Sequence, residues 1–424
     1  MSLRQVALAA FDAALAAAAP GPATARALAE RPLAPGRPVT IIAMGKAAIP
    51  MARAAIGQLG RPPKTLLIVT NPENAVALDG AEIFAAAHPL PDAIGLAAAA
   101  RALEIAASLT AEDQLLVLVS GGASAMLPSP VPGVSLSDKI TLNAQMLAAN
   151  MDIRAMNLVR QNLSALKGGG LARAAGRAVV RSLILSDVPG DELAVVASGP
   201  TLPPIGPRSA AVDALQKSGL WAGLAPNIRA VLTAPAPAPA PAPPPATAAA
   251  PLPPADATLI GANQISIAAA CAAIPPDYLL LEAPYPLIGT VESAAETLAA
   301  LARAAPNQPC AIVTGGETTV NVTGTGRGGR NQELALRIAL ALALPRDWLF
   351  LSAGTDGRDG PTDAAGGIVT GDTARAIAAA GHDSRRLLAN NDSYAALAAG
   401  DALLHTGATA TNVGDCQILL LNHQ

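Results

Sequence analysis

Glycine-rich segments that carry hydroxyl groups and cations follow several short apolar runs of this chain. One of them offers backbone N–H groups and two hydroxyls without a bulky side chain, and it consists of Ser120, Gly121, Gly122, Ala123 and Ser124. At a helix N-terminus such a segment binds anions, although a tight turn with an N-cap serine would explain the same residues. Lys46 follows Gly45, and Lys167 precedes three glycines. Each lysine could reach a phosphate or a carboxylate, or lie on a surface beside a helix end.

Residues 314–333 form the most unusual stretch, with six glycines around several charged side chains. Its candidate ligand-binding residues are Glu317, Arg327, Arg330 and Asn331. Three of the glycines satisfy the pattern GxGxxG, which is weak evidence when it stands alone. Two arginines inside the loop fit phosphate neutralisation better than close packing on a dinucleotide. The stretch therefore favours a phosphate ligand.

Carboxylates follow other apolar runs. Asp187 comes two residues after one of them, where an aspartate can bind a metal or accept a proton. Asp356, Asp359 and Asp363 are spaced like the start of an acidic metal loop. The loop lacks the downstream glutamate of an EF-hand, which favours Mg²⁺ with a nucleotide over Ca²⁺, and ordinary turns remain an alternative. Asn391 lies in a polar break that could bind ligand or only cap a helix.

Together these segments require an anionic, oxygen-rich substrate. They contain four candidate cations, and none of them carries a cysteine or histidine as nucleophile or proton shuttle. Phosphoryl transfer needs positioning and charge neutralisation more than covalent chemistry. The residues alone therefore predict a Mg²⁺-dependent phosphotransferase that acts on a small anionic substrate.

An alternating α/β pattern must position these segments. Short apolar runs that favour strands end in glycine or polar residues and precede helical patterns, at residues 39–43, 65–70, 115–119, 182–185, 258–260, 311–313 and 348–351. Such alternation predicts mainly parallel sheets covered by helices, in which ligands bind at the carboxyl ends of the strands.

The chain has 424 residues, enough for two or three domains. A Pro/Ala-rich run at residues 234–257 begins APAPAPAPAPPP and resists both helix and sheet. We therefore predict an N-terminal domain at residues 1–233, a linker or loop at 234–257, and a C-terminal domain at 258–424.

Composition excludes several classes of protein. Aromatic residues make up 2% and the net charge is −3, which argues against nucleic-acid binding. Three scattered cysteines make neither a disulfide framework nor a metal motif, and this favours the cytoplasm. No uninterrupted apolar tract is long enough to span a membrane. The N-terminus imitates a signal peptide, but Asp12 interrupts it and favours an amphipathic first helix.

The ordered motifs of the chain resemble those of the glycerate 2-kinase family, which ends in a MOFRL domain. The matching stretches are MGKAA, SGGASA, LKGGGLA, LSDVPGD with VASGPT, GGETTV, GRGGRNQE, SAGTDGRDGPTDAAGG and TGATATNVGD. They occur in the order of the family and cover nearly the whole chain, and the Pro/Ala-rich insert is the visible departure.

The resemblance implies ATP-dependent phosphorylation of D-glycerate at its 2-hydroxyl, giving 2-phosphoglycerate and ADP. It also implies a Rossmann-like N-terminal domain and a MOFRL-type α/β domain, with the active site in the cleft between them. By motif, Lys46, Asp187 and Arg327 match the central charged residues of the family. Lys46 and Arg327 would neutralise the transferred phosphoryl group, and Asp187 would accept the hydroxyl proton or hold Mg²⁺.

The motifs also suggest further binding residues and alternative activities. Residues 120–124 and Lys167 would hold an anion, and Glu317 and Asp356 would serve a metal or a ribose. Some members carry the label hydroxypyruvate reductase, so an NAD(P)H-dependent reductase that uses GTGRGG as a dinucleotide loop is the alternative activity. A sensor of sugar acids or nucleotides without catalysis is a third possibility. A homodimer is left open.

Overall fold

A computed structural model describes residues 1–188, 192–234, 256–409 and 411–423. Most of the predicted linker, residues 235–255, lies outside the described residues. The α-helices of the described chain are α1 (Leu3–Ala17), α2 (Pro20–Glu30), α3 (Ala48–Leu59), α4 (Ala93–Ala107), α5 (Ala123–Met126), α6 (Leu136–Ala148), α7 (Ile153–Asn162), α8 (Gly170–Ala174), α9 (Arg208–Lys217), α10 (Pro226–Thr233), α11 (Asn263–Ala273), α12 (Val291–Ala304), α13 (Arg330–Ala341), α14 (Thr373–Ala379), α15 (Ser384–Ala389) and α16 (Ser393–Ala399).

The strands form two sheets. They are β1 (Val39–Met44), β2 (Thr65–Thr70), β3 (Glu82–Ala85), β4 (Gln114–Val119), β5 (Val179–Leu185), β6 (Asp256–Gly261), β7 (Leu279–Leu281), β8 (Leu287–Thr290), β9 (Cys310–Thr319), β10 (Trp348–Gly354), β11 (Gly366–Thr370), β12 (Leu403–Leu404) and β13 (Asp415–Leu421).

Two compact units divide the described chain. The N-terminal unit takes residues 24–186, 192–234 and 256–260. The C-terminal unit takes residues 261–409 and 411–423 together with 1–23 and 187–188. The predicted domain boundaries stay a prediction, and the structure adds that the first helix packs within the C-terminal unit.

The N-terminal unit is built on a six-stranded sheet with the order β3-β2-β1-β4-β5-β6. The pairings among β1 to β5 are parallel. Every residue of β1 and β4 is buried, as expected for central strands of a parallel sheet with both faces covered. This order is that of a Rossmann-type sheet. The predicted α/β class and the Rossmann-like N-terminal architecture are therefore confirmed.

Four helices add a second core to this unit. Apolar side chains of α6, α7, α9 and α10 pack against one another, among them Leu142, Val159, Leu215 and Ile228. Asp152 caps the start of α7 by accepting a hydrogen bond from Ala155 N at 2.9 Å. This packing fixes the positions of α6 and α7, which carry charged side chains considered below.

The C-terminal sheet has the order β12-β11-β10-β13-β9-β7, and β8 also pairs with β9. The pairings of β10 with β11 and β13, of β11 with β12, and of β13 with β9 are antiparallel. The expectation of mainly parallel pairing is therefore wrong for this sheet. A loop without a crossover helix connects β10 to β11, and such a connection allows only the antiparallel arrangement.

Helices cover both faces of the C-terminal sheet. Along β13, Ile418 and Leu420 face α1 and α11, whereas Leu419 and Leu421 face α12, α13 and α16. Helix α1 begins with a capping box formed by Ser2 and Gln5. It buries Phe11 in this core, which confirms the predicted amphipathic first helix.

By length and composition, none of the described helices could cross a membrane alone. One bent pair, α1 with α2, meets those two criteria together.

Candidate active site

In the N-terminal unit, the candidate residues lie where the strand order changes direction. Lys46 follows β1, and residues 120–124 follow β4, which is the parallel neighbour of β1. The carboxyl ends of two such strands form the ligand-binding crevice of a doubly wound sheet. The fold therefore brings Lys46 to the same edge as the serine- and glycine-containing loop.

Backbone hydrogen bonds hold these two loops together. Lys46 N donates to Gly121 O at 2.9 Å, and Ala47 N donates to the Ser120 hydroxyl at 3.0 Å. The Ser120 hydroxyl in turn donates to Met44 O at 3.1 Å. Gly45 has φ +105°, and a Cβ there would overlap Ser120, so only glycine fits this close approach. Ser120 thus braces the loop that presents Lys46.

Lys167 reaches the far end of the same loop. Its ammonium donates to Ser124 O at 2.6 Å, and the Ser124 and Ser198 hydroxyls lie 2.9 Å apart. The lysine is 3% exposed. Burial lowers the pKa of Lys167 well below its usual range, and the charges of Lys139 and Arg160 lower it further. Lys167 is therefore part of the loop's support.

His88 is a candidate that sequence reasoning missed. Burial lowers the pKa of His88, the charge of Lys46 lowers it further, and Glu73 opposes both effects. The side chain lies near Gly122, since a Cβ on that glycine would sit 3.2 Å from His88 Cδ2. A neutral imidazole near Lys46 and the 120–124 loop is a possible proton acceptor. The sequence feature that could have identified His88 is its place three residues after the end of the short strand β3.

In the C-terminal unit, a row of residues crosses three strands. Asp415 is the register partner of Gly316 on β9 and of Gly354 on β10. Its carboxylate accepts two hydrogen bonds from Arg330, at 2.6 and 2.9 Å, and Arg330 also donates to Glu317 at 2.8 Å. Burial opposes the charge of Arg330, but the bonds and charges of both carboxylates raise its pKa. Two acidic partners therefore hold Arg330 in place.

Arg327 stands in a different environment. Its side chain is exposed, and its guanidinium lies 4.1 Å from the centroid of the Tyr394 ring. Among the residues that the structure describes, no carboxylate lies within 4.0 Å of its guanidinium nitrogens. Its backbone is fixed, because Arg327 N donates to Asp392 Oδ1 at 3.2 Å and Tyr394 N donates to Arg327 O at 3.0 Å. Arg327 is thus a positioned cation whose charge is still available to a ligand.

The two predicted asparagines are engaged with protein groups. Asn331 is buried, and its Oδ1 accepts a hydrogen bond from the Ser352 hydroxyl at 2.6 Å. Asn391 Oδ1 accepts from Thr323 N and Gly324 N, each at 2.8 Å, and Asn391 Nδ2 donates to Glu333 at 3.2 Å. Both side chains organise the glycine-rich loop and its helix, and their ligand-binding role stays a prediction.

The acidic loop after β10 divides its aspartates between different tasks. Asp359 accepts hydrogen bonds from Asn331 N at 3.1 Å and Gln332 N at 2.8 Å, which caps the start of α13. Asp356 is half-buried and accepts one bond, from Arg358 N at 3.0 Å. Asp187 lies half-buried two residues after β5. Within the described ranges, no group of three or more metal-ligating side chains occurs.

Comparisons with known proteins give this geometry its context. A model described as "Domain of unknown function (DUF4147)" matches residues 6–233, and one described as "MOFRL family" matches residues 310–415. A D-glycerate 2-kinase of Thermotoga maritima is 38% identical over 391 residues, which cover 90% of each chain. A glycerate kinase of Homo sapiens is 36% identical, over 99% of this chain and 94% of that protein.

The chain belongs to the glycerate kinase family. Its structure is similar to the crystal structure of a glycerate kinase from Thermotoga maritima. The TM-score is 0.88 and the sequence identity is 36%, over 99% of both chains. Within this member, Lys46, Lys167, Asp187 and residues 120–124 lie in the first match. The second match contains Glu317, Arg327, Arg330, Asn331, Asp356 and Asn391.

Proposed function

We propose that this protein transfers the γ-phosphoryl group of ATP to the 2-hydroxyl of D-glycerate, giving 2-phosphoglycerate and ADP. The observation that carries the proposal is the 38% identity to a D-glycerate 2-kinase over 90% of both chains. The Rossmann-type strand order, with Lys46 and residues 120–124 at its ligand-binding edge, supports the same function.

The charged side chains suit this transfer. Lys46 and Arg327 would neutralise the phosphoryl group as it moves, because its equatorial oxygens carry charge throughout. Asp187 would accept the proton of the 2-hydroxyl or hold the metal. Arg330 already pairs with Asp415 and Glu317, so its part would be to hold the position of α13 rather than to bind phosphate.

The acidic residues fit a magnesium ion bound together with ATP. Mg²⁺ takes one or two protein carboxylates and completes its shell with phosphates and water. Asp356 has a carboxylate oxygen to spare, and a Cβ on Gly354 would lie 3.2 Å from Asp356 Oδ1 and 3.7 Å from Asp415 Oδ1. Asp356 and Asp187 would hold the ion, which would neutralise part of the charge of the ATP phosphates.

A nicotinamide-dependent reductase is the alternative. It would use the glycines of GTGRGG to approach a dinucleotide, but a Cβ at Gly324 or Gly326 would overlap Asn390. Packing within the chain therefore already accounts for these glycines, which favours the kinase. We also propose that the protein acts in the cytoplasm, while a homodimer stays a prediction.

A coupled assay with D-glycerate, ATP and Mg²⁺ tests the proposed reaction. ADP release is followed in one channel, and in the other the product feeds enolase without phosphoglycerate mutase. Signal in both channels is expected, because enolase accepts only the 2-phosphate. ADP without an enolase signal would move the phosphate to another hydroxyl. Silence in both, with loss of NADH on hydroxypyruvate, would replace the kinase by the reductase.

A further inference from the structure

Three cations lie together in the N-terminal unit and bind only neutral acceptors. Lys139 of α6 donates to Leu163 O at 3.0 Å, and Arg160 of α7 donates from Nε to Asn143 Oδ1 at 3.1 Å. Lys167, before α8, donates to Ser124 O at 2.6 Å. We call Lys139, Arg160 and Lys167 the cationic cluster.

No carboxylate balances the cationic cluster in the part of the chain that the structure describes. The acidic residues nearby in the fold are occupied elsewhere: Asp138 binds Ser135 and Asn227, Asp152 caps α7, and Glu192 pairs with Arg154. Burial lowers the pKa of Lys139 to about 7, and the charge of Arg160 adds to that effect. An uncompensated buried charge costs free energy, so the two lysines release their protons more readily in the free protein, and a bound anion would favour their protonated forms.

The lysines of the cationic cluster also have N–H donors that make no hydrogen bond within the described protein. An ammonium group carries three N–H donors, and each of the two lysines makes one hydrogen bond in the structure. Lys167 is 3% exposed, whereas Lys139 and Arg160 are half-buried, so the cluster reaches the surface. A ligand with several anionic oxygens could take up the unused donors.

We propose that the cationic cluster binds a phosphate-bearing anion. With both lysines protonated in the presence of the anion, the three groups carry more charge than the single carboxylate of D-glycerate would neutralise, and they match a group with several negative charges. The bond from Lys167 to Ser124 makes the cluster continuous with the 120–124 loop. The phosphate chain of ATP is the expected occupant, an assignment that rests on the proposed function, and 2-phosphoglycerate is the other source of the same chemistry.

The test uses the full-length Lys139→Met variant, which keeps the length of the side chain and removes its charge. Tripolyphosphate, ATP and 2-phosphoglycerate are titrated separately into each protein by calorimetry, without D-glycerate, and thermal unfolding is followed without ligand. We expect binding of tripolyphosphate and ATP to weaken about tenfold, the loss of one charge-assisted hydrogen bond. We also expect the ligand-free variant to melt higher than the natural protein, because methionine does not bury a nitrogen that loses most of its hydrogen bonds to water.

Lys217→Met is the matched control. Lys217 is an exposed lysine of α9 in the same unit, so the control makes the same change in net charge away from the cluster. Arg160→Met repeats the test from another helix in case Lys139→Met does not fold.

The outcomes separate the sources. Weaker binding of 2-phosphoglycerate alone would keep the site and assign it to the product. Unchanged binding of all three anions, with a lower melting temperature, would mean that Lys139 only braces Leu163 O, and the proposal would fall. Because no turnover is measured, a chain inactive on D-glycerate could still pass this test, and an active kinase could fail it.

Discussion

Arg327 and Arg330 are three residues apart and have the same chemistry, yet their surroundings give them different tasks. Arg330 binds Asp415, which is fully buried, and also Glu317. Arg327 stacks on Tyr394, and its side chain is exposed. Two carboxylates of the protein balance the charge of Arg330. Of the two arginines, Arg327 is therefore the one that offers a full charge to a ligand.

Replacement of each arginine by methionine should separate these tasks. Arg327→Met is expected to lower kcat about a hundredfold, because one preorganised cation is lost from the transition state. Its free energy of unfolding should change by less than about 0.5 kcal/mol. Arg330→Met leaves Asp415 buried without its cation and should cost about 3 kcal/mol of stability. Urea unfolding and the coupled assay measure both quantities, and equal effects of the two changes would refute the distinction.

Lys46 invites a similar comparison with Lys64. Lys46→Met is expected to lower kcat about a hundredfold or more while the fold stays intact. Lys64 pairs with the buried Asp113 at 2.7 Å, so Lys64→Met should lower the melting temperature and leave kcat within about twofold. Steady-state kinetics and thermal unfolding of the two variants test this. Near-normal turnover of Lys46→Met would remove Lys46 from the mechanism.

Asp359 should make stability depend on pH. Burial raises the pKa of Asp359 to about 6, although hydrogen bonds from Gln332 and Asn331 oppose the shift. The folded state therefore binds the proton more tightly than the unfolded state, whose pKa is about 3.9. The contribution of this group is fully present below about pH 4 and is lost as pH rises through about 6. Urea unfolding from pH 4 to 7 should show this loss, and Asp359→Asn should flatten it. The same slope in both proteins would assign it to another group.

At the scale of elements, one segment acts as a template for the glycine-rich loop. Residues 390–394 bind residues 323–327 through side chains and backbone, and Gly326 N donates to Asn390 O at 2.9 Å. Gly328 packs so closely on Ser393 that a Cβ would overlap it. The loop that carries Arg327 is therefore shaped by a second segment more than sixty residues away in the chain.

Substitutions of Tyr394 test whether residues 390–394 position Arg327. Its ring lies under Arg327, and its hydroxyl donates to Asp363 at 2.7 Å. Tyr394→Leu removes the ring and should lower kcat about fivefold, the size of an exposed cation–π interaction. Tyr394→Phe keeps the ring and should restore kcat to nearly normal. If Phe were as poor as Leu, the bond to Asp363 would position Arg327 instead of the stacking.

The sequence predicted the strands that contain a distinct apolar run before a glycine or polar turn, and it missed several of the others. Strands β1, β2, β4 and β5 were found because each contains a buried apolar run that leads into a glycine or polar turn. Strands β11 and β13 were missed: β11 begins with two glycines, which weaken its apolar pattern, and β13 is placed by antiparallel pairing with β9 and β10 and not by an alternation of strands and helices. Asp415 was likewise not predicted as a site residue. It is the last residue of the motif TGATATNVGD, and its ion pair with Arg330 forms only because β13 brings the two residues together.

At the scale of the whole molecule, the candidate residues are shared by both units. The N-terminal unit carries Lys46, Lys167 and residues 120–124, and the C-terminal unit carries Asp187, Arg327 and Asp356. The motifs on both sides of the Pro/Ala-rich run predicted Lys46 and Arg327 in different domains, but they placed Asp187 in the N-terminal domain at residues 1–233. The expected site between the domains remains a prediction.

We expect that the Pro/Ala-rich run can be replaced without loss of activity. It contains no candidate site residue, and each change in loop length costs little entropy. Replacement of residues 235–255 by a Gly/Ser segment of about half the length should leave kcat and KM within about twofold. The flanking contacts must stay, because Ala234 O accepts from Arg208 at 3.3 Å and Asp256 pairs with Arg31.

A Gly/Ser segment of the original length separates composition from length. If both replacements keep normal kinetics, the run serves as a spacer whose sequence is irrelevant to catalysis. A KM for D-glycerate or ATP that rises about tenfold in both would show that the proline-rich composition itself contributes to substrate binding, contrary to the prediction. A rise in the short variant alone would mean that the connection needs its length, since a segment too short for its span strains α10 and β6, the two elements that it connects within the N-terminal unit.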